Sequence, residues 1–189
     1  PVDLEIVVID DGSTDGTSQI LGALEDSTVQ VVRHPANLGK GAAIRTALRH
    51  VRGELVLIQD ADLEYDPEDW PRLLRPILRG RADVVYGSRY LREGMRGFAA
   101  LAGGRWPGQS WTAYLGGRSL SVAAWFFTGR WITDTVTALK LFPRAFLTGL
   151  TLETTGFELD HELTAKALSA GLRIVEVPIH YAPRSKAEG

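Results

Sequence analysis

Leu4-Glu5-Ile6-Val7-Val8-Ile9 is a β-branched run that breaks at Asp10-Asp11-Gly12-Ser13, and this strand-then-turn reading sets the fold. Ser13 or Asp15 is placed to cap a helix whose Ile20, Leu21 and Leu24 share one face. The alternation then repeats. Val29 to Arg33 reads as a second strand, and a helix follows Asn37-Leu38-Gly39-Lys40-Gly41 with Ile44, Ala47, Leu48 and Val51 as one apolar stripe. Glu54 to Gln59 is a third strand ending in Asp60-Ala61-Asp62. Pro67 opens a helix carrying Leu73, Leu74, Ile77 and Leu78, and Ala82 to Tyr86 is a fourth strand. Apolar strands separated by amphipathic helices predict an α/β fold with a Rossmann-like, mostly parallel sheet flanked by helices. Beyond Arg89 the rhythm changes. Arg92 to Gly108 reads as a loop, Trp111 to Phe127 as a helix, Leu139 to Phe142 as a short strand, Glu158 to Ala170 as a helix and Arg173 to Val177 as a last strand.

Composition removes several function classes. The 189 residues give room for one domain, and 44% apolar with 23% charged residues is globular rather than disordered composition. A net charge of -2 offers no basic field for nucleic acid, so no nucleic-acid partner is expected. Without cysteine there are no disulfides, thiolate zinc sites, iron–sulfur ligands or cysteine nucleophiles. The four histidines are scattered with no His-x-x-x-His pairing and read as structural or surface residues. The nearly uncharged stretch Ser119 to Gly129 is too short for a bilayer span, which needs about 20 apolar residues.

Open parallel sheets bind ligands at the carboxyl ends of their strands. Asp10-Asp11-Gly12-Ser13, Asp60-Ala61-Asp62-Leu63-Glu64 and Gly87-Ser88-Arg89 all fall at such ends. Asp60 and Asp62, two apart at a turn, suit one hard cation such as Mg²⁺ or Mn²⁺, with Glu64 able to add an oxygen and diphosphate oxygens completing the shell. The alternative is a solvated acidic turn. Lys40, between Gly39 and Gly41, is placed to reach a diphosphate; the alternative is a solvent-facing lysine at a helix start. For Asp10 and Asp11 the alternative is turn formation and helix capping.

The set Val8-Ile9-Asp10-Asp11-Gly12-Ser13-Thr14-Asp15, Asn37-Leu38-Gly39-Lys40-Gly41, Asp60-Ala61-Asp62 and Tyr86-Gly87-Ser88-Arg89 resembles family 2 inverting glycosyltransferases of GT-A fold, nearest to the dolichyl- or polyprenyl-phosphate mannosyl and glucosyl synthases. Thr133-Asp134, Lys140-Leu141-Phe142, Gly156-Phe157-Glu158, Glu162 to Lys166 and Glu176-Val177-Pro178 extend the resemblance over nearly the whole chain. It implies a nucleotide-sugar donor, GDP-mannose or UDP-glucose, and a polyprenyl or dolichyl phosphate acceptor. Asp11 would contact the base and Asp10 support that pocket. Asp60 and Asp62 would hold the metal and the diphosphate, with Glu64 the third acidic position. Arg89 would bind the acceptor phosphate, for which guanidinium geometry is suited. Arg184 and Lys186 fall in the family's basic C-terminal segment over the diphosphate. A phosphate acceptor is already anionic and needs no strong base; a hydroxyl acceptor would need one, with Asp134, Glu158 and Asp160 as candidates.

The resemblance also carries departures. The family's opening strand, with its Pro-x-Tyr-Asn-Glu-like motif, does not precede Leu4, so the chain reads as a truncated GT-A domain lacking its first strand, a strand that sits mid-sheet in the family. Residues 1–90 read as the nucleotide-sugar half and 91–189 as the acceptor half. Near Ala113-Tyr114 relatives often carry a basic residue, and Thr135 to Leu139 differs from the family's usual Glu or Ser followed by Gly. The Trp and Phe cluster from Trp111 to Trp131, with Arg118 and Arg130, suits peripheral contact with a membrane headgroup layer, at the cytoplasmic face; a core helix is the alternative. Two other readings stay open: transfer to a saccharide or small hydroxyl acceptor, and a non-catalytic sugar-nucleotide-binding fragment.

Overall fold

The computed structural model describes residues 2–92 and 111–183. The elements run β1 (Ile6–Asp10), α1 (Thr17–Gly22), β2 (Val29–Arg33), α2 (Lys40–Ala47), β3 (Leu55–Ile58), a 3₁₀ turn at Pro67–Asp69, α3 (Trp70–Leu78), β4 (Val84–Ser88), α4 (Trp111–Thr128), β5 (Lys140–Pro143), α5 (Arg144–Thr148), α6 (Leu159–Ser169) and β6 (Ile174–Pro178). The α/β alternation expected from the sequence is present, and α5 is an addition to it. Residues 93–108 of the expected loop, with Trp106, lie outside the described residues. The chain forms two compact units, one from Pro1–Val56 and Pro143–Glu162, the other from Leu57–Phe142 and Leu163–Gly189.

In the first unit β1 and β2 pair in parallel, in register from Ile6 with Val29 to Asp10 with Arg33. Glycine shapes the turn after β1: Gly12 sits at φ 77°, and a Cβ there would lie 2.4 Å from the Ala36 carbonyl carbon. The helix after it departs from expectation. Neither Ser13 nor Asp15 caps α1; its N-cap is Gly16, without a side-chain cap, and Asp15 instead accepts from the Thr17 amide at 3.1 Å. Ile20 is 71% exposed, and Leu24 is exposed too, so the apolar face read from the sequence is left largely in solvent. The reason is local: among the described residues β1 pairs with β2 alone, and a two-stranded ladder offers one short helix little to bury against.

The second sheet has the order β3-β5-β4-β6. β4 is buried throughout and parallel to β6, Val84 with Ile174 through Ser88 with Pro178. It is antiparallel to β5, Val85 opposite Leu141 and Tyr86 opposite Lys140, so the sheet is mixed. Among the described residues β3 pairs with β5 alone. Leu73 of α3, Val84, Val85, Tyr86, Leu139 and Leu163 are fully buried, and the Tyr86 and Phe142 rings meet edge-on at 5.9 Å. Burial of Leu73 fits the stripe read for α3, whereas Leu78 at its end is exposed. The core therefore lies around β4, whose carboxyl end delivers Ser88 and Arg89.

Candidate active site

In the first unit the strand ends hold Asp10 and Asp11. Asp10 is buried; it accepts from the Ser13 amide at 2.9 Å and from the Ser18 hydroxyl, with the Arg33 guanidinium 3.5 Å away. Those hydroxyl and amide donors, Ser18 foremost, hold its carboxyl down to about 2. Burial pushes Asp11 up, but hydrogen bonds from His34 at 2.6 Å, the Leu38 amide at 3.0 Å and the Gly39 amide at 2.8 Å outweigh it and keep Asp11 below the usual carboxylate range. Asp11 and Gly39 are thus brought together, with Asp11 shaping the 37–39 turn. Buried His34 completes this cluster, its second nitrogen 2.9 Å from the Thr46 hydroxyl. The sequence reads His34 as a structural or surface residue, and it is the structural one; its place one residue past β2, a strand end like the others, is the signal that ties it to this cluster.

Lys40 starts α2 and forms an ion pair with buried Asp160 at 3.3 Å, over the Phe157 ring. The glycines around it serve chain packing: a Cβ on Gly41 would lie 2.2 Å from the Thr154 oxygen, and one on Gly39 2.5 Å from the Thr155 oxygen. The space their missing side chains leave is taken by backbone 154–155, to which the Gly41 amide donates at 2.7 Å.

In the second unit Asp60, Asp62 and Glu64 follow β3 and are all half-buried at a turn. The Glu64 amide donates to Asp62 at 3.2 Å. Leu63 between them has φ 61° with its side chain 91% exposed, a left-handed backbone conformation rare for leucine. Tyr181 holds this turn: its hydroxyl donates to Glu64 at 3.1 Å, its ring packs 5.7 Å from that of Tyr65, and the Ala182 amide donates to the Glu64 carbonyl at 3.0 Å. Tyr65, Glu64, His180 and Tyr181 help line an open hollow of about 310 Å³. Among the described residues no three His, Cys, Asp or Glu side chains converge as a metal-holding group. The donor set present is hard carboxylate oxygen, few in number and half-exposed. It fits a cation that completes its shell with substrate oxygens and water, as Mg²⁺ and Mn²⁺ do in nucleotide sites, rather than an all-protein cage.

Arg89, one residue past β4, is clamped. Its Nε donates to Asp134 at 2.7 Å, its Nη2 to the other Asp134 oxygen at 2.8 Å, and its own amide to Asp134 at 3.0 Å. Asp134 is fully buried and the Arg89 side chain is 13% exposed. Burial works against the guanidinium charge, but Asp134 overrides it and holds Arg89 more firmly charged than an ordinary arginine. The guanidinium also lies over Tyr181 at 5.4 Å and Tyr90 at 5.8 Å. Glu64, Tyr181, Arg89 and Asp134 therefore form one connected group in this unit. Tyr181 carried no role in the sequence reading, although it sits three residues past β6, at another strand's carboxyl end. Arg184 and Lys186 lie outside the described residues.

The glycosyl transferase family 2 profile matches residues 1–147. Glycosyltransferase AglJ of Haloferax volcanii is 31% identical over 180 residues, covering 95% of this chain and 54% of AglJ. Polyprenol monophosphomannose synthase of Mycolicibacterium smegmatis is 31% identical over 192 residues, covering 96% of this chain and 68% of the synthase. This chain thus spans about half the length of AglJ and two thirds of the synthase. Glucosyl-3-phosphoglycerate synthase of Mycobacterium tuberculosis, solved with Mn²⁺, UDP and glucosyl-3-phosphoglycerate, aligns with a TM-score of 0.69 at 24% identity over 97% of this chain and 63% of its own. The shared fold is GT-A.

Proposed function

The chain belongs to glycosyl transferase family 2, and from that membership we propose that it is a metal-dependent inverting hexosyltransferase, moving a hexose from a nucleotide sugar to a polyprenyl or dolichyl phosphate. The observation that carries the acceptor half is the clamped Arg89. A phosphate-monoester acceptor is anionic near neutral pH, so it calls for a fixed cation more than for a base. Arg89 is such a cation, with Asp134 fixing the guanidinium plane and Tyr181 stacked on it. Asp134, with both oxygens on Arg89 and no exposed surface, is suited to hold Arg89 rather than to take a proton from a hydroxyl.

In the proposed reaction an acceptor phosphate oxygen attacks the anomeric carbon in line. The new carbon–oxygen bond forms as the bond to the diphosphate breaks, and the nucleoside diphosphate departs with the electron pair. Asp60 and Asp62, with Glu64 beside them, would hold Mg²⁺ or Mn²⁺, which when bound neutralises charge on the leaving diphosphate. The Mn²⁺ and UDP of the solved fold neighbour agree in kind. On the donor side we assign base contact to Asp11 with Asp10 in support, and diphosphate contact to Lys40 with Gly39 beside it, Arg184 and Lys186; GDP-mannose and UDP-glucose are the donors to try. The name of the Mycolicibacterium relative, a polyprenol monophosphomannose synthase, supports a lipid phosphate acceptor.

α4 supports peripheral membrane contact, and the contact we propose is at a cytoplasmic face. It exposes Trp111 (63%), Phe126 (76%), Leu115, Val122 and Trp125, an aromatic and aliphatic surface of the kind that enters a headgroup layer. No helix among the described residues is long and apolar enough to cross a membrane. The test is nucleoside diphosphate release from each donor, with and without polyprenyl phosphate, in Mn²⁺, Mg²⁺ or EDTA. Release that needs both the lipid phosphate and the metal is the expected result. Release driven by a soluble saccharide would overturn the acceptor assignment, and donor binding without release would overturn turnover. Liposome flotation tests α4: failure to float with anionic vesicles removes the membrane contact.

A further inference from the structure

We infer that Glu176 is a positioning residue for the acceptor cation, acting on Arg89 through the Thr133–Asp134 backbone. This rests on the reading of Arg89 as the group that binds the acceptor phosphate. Glu176 lies in β6, in register with Tyr86 of β4 two residues before Ser88. Its carboxylate accepts three hydrogen bonds, all from two consecutive residues: the Thr133 amide at 2.7 Å, the Thr133 hydroxyl at 2.8 Å and the Asp134 amide at 2.9 Å. The Asp134 side chain then takes Arg89 through three donors. The Thr133 hydroxyl lies 2.6 Å from that of Ser88, the residue before Arg89, and the Ser121 hydroxyl and Arg118 guanidinium donate to the Thr133 carbonyl at 3.0 and 3.4 Å. The peptide group that leads into Asp134 is therefore fixed at both ends, its amide on Glu176 and its carbonyl on Ser121 and Arg118, and the amide of the peptide group before it donates to Glu176 as well.

A carboxylate is the group that this place needs. Two amide N–H groups and a hydroxyl point at it, and only an acceptor with two oxygens can serve all three donors. Glutamine keeps one oxygen for two of the donors, but its NH₂ faces the Thr133 amide, donor against donor. Desolvation pushes the Glu176 carboxyl up to about 7 even against the three hydrogen bonds that lower it, so the geometry holds in spite of a burial cost. A side chain retained at such a cost, with its carboxylate spent on the residue that clamps Arg89 and on that residue's neighbour, is placed for Arg89.

The test is E176Q, measured two ways. In steady-state turnover the acceptor KM should rise about tenfold, the scale of one lost hydrogen bond to a charged group, while the donor KM stays within about twofold. Thr133→Val, which removes one of the three donors, should shift the acceptor KM in the same sense, and Thr133→Ser, which keeps the hydroxyl, should restore it. Without any substrate, solvent exchange of the Arg89 Nε proton, followed by ¹⁵N NMR and assigned with R89K, should quicken about tenfold in E176Q. An unchanged exchange rate in folded E176Q overturns the inference, as does an unchanged acceptor KM in an active enzyme. If E176Q does not fold, the Thr133 pair decides by the same exchange measurement: Val equal to Ser overturns it. Wild-type protein that shows no lipid-phosphate-dependent release while E176Q still loosens Arg89 would sink the acceptor reading and leave the positioning role standing.

Discussion

Replacing Asp134 with alanine takes a buried counter-charge away from the Arg89 guanidinium. Arg89 would lose acceptors at 2.7, 2.8 and 3.0 Å while its side chain stays only 13% exposed. Removing one partner of a buried pair costs about 3–5 kcal/mol, and with Asp134 fully buried solvent screening does little to reduce that. Set against a domain stability of about 5–15 kcal/mol, D134A loses roughly a fifth of the total or more. R89A should cost less, because the lone Asp134 can take up a proton. The double variant R89A/D134A leaves no uncompensated charge, so its loss should fall short of the sum of the singles by about 2 kcal/mol or more. Urea unfolding of the four proteins, followed by tryptophan fluorescence, gives the cycle. Single losses that add within about 0.5 kcal/mol would show that the pair is not coupled, and the clamp would then be no reason for Arg89 to stay in place.

Asp62→Ala should abolish Mn²⁺-dependent binding of the nucleotide sugar in calorimetry; metal dependence that survives the substitution refutes the metal assignment. Gly41→Ala puts a Cβ 2.2 Å from the Thr154 oxygen, a backbone atom that no rotamer change can move, so about 1–3 kcal/mol of stability should be lost; an unchanged Tm contradicts the packing role. Glu176 holds its proton to about 7 in the fold and to about 4.5 when unfolded, so between those values the folded state binds more protons and stability falls as pH rises. The fall is roughly 3 kcal/mol at 1.36 kcal/mol per pH unit, and E176Q should lack it; matching pH–stability curves for the two proteins would rule this out.

The local layers of this fold were legible because they rest on local signals. β4 and Leu73 of α3 are apolar where the periodicity said they would be, and the acidic and arginine motifs do fall at strand ends. Where the reading and the structure part, the cause is tertiary. The α1 face at Ile20 and Leu24 has the right spacing for a core helix, but spacing cannot say whether a partner surface is there to receive it. Gly39 and Gly41 carry the signature of close approach, yet sequence alone does not say what approaches; it is residues 154 and 155, more than a hundred positions away. β5 runs antiparallel, a direction that a four-residue apolar run does not encode.

Arg89 could be picked out by its motif, but its behaviour depends on Asp134, Glu176 and Tyr181, which belong to later segments. Of these Tyr181 reaches furthest, because it touches both Arg89 and Glu64. Leu63, next to Glu64, is held in a backbone conformation that costs of order 1–3 kcal/mol, and such a conformation persists only where neighbours enforce it. Tyr181 and the Ala182 amide are those neighbours, and they follow directly from β6, the strand that also carries Glu176. One strand thus steadies the proposed acceptor cation through Glu176 and the turn beside the proposed metal carboxylates through Tyr181. Substitutions in β6 that shift its register against β4 should therefore weaken both acceptor and metal binding, whereas substitutions in the 37–41 turn should leave the Arg89 clamp as it is.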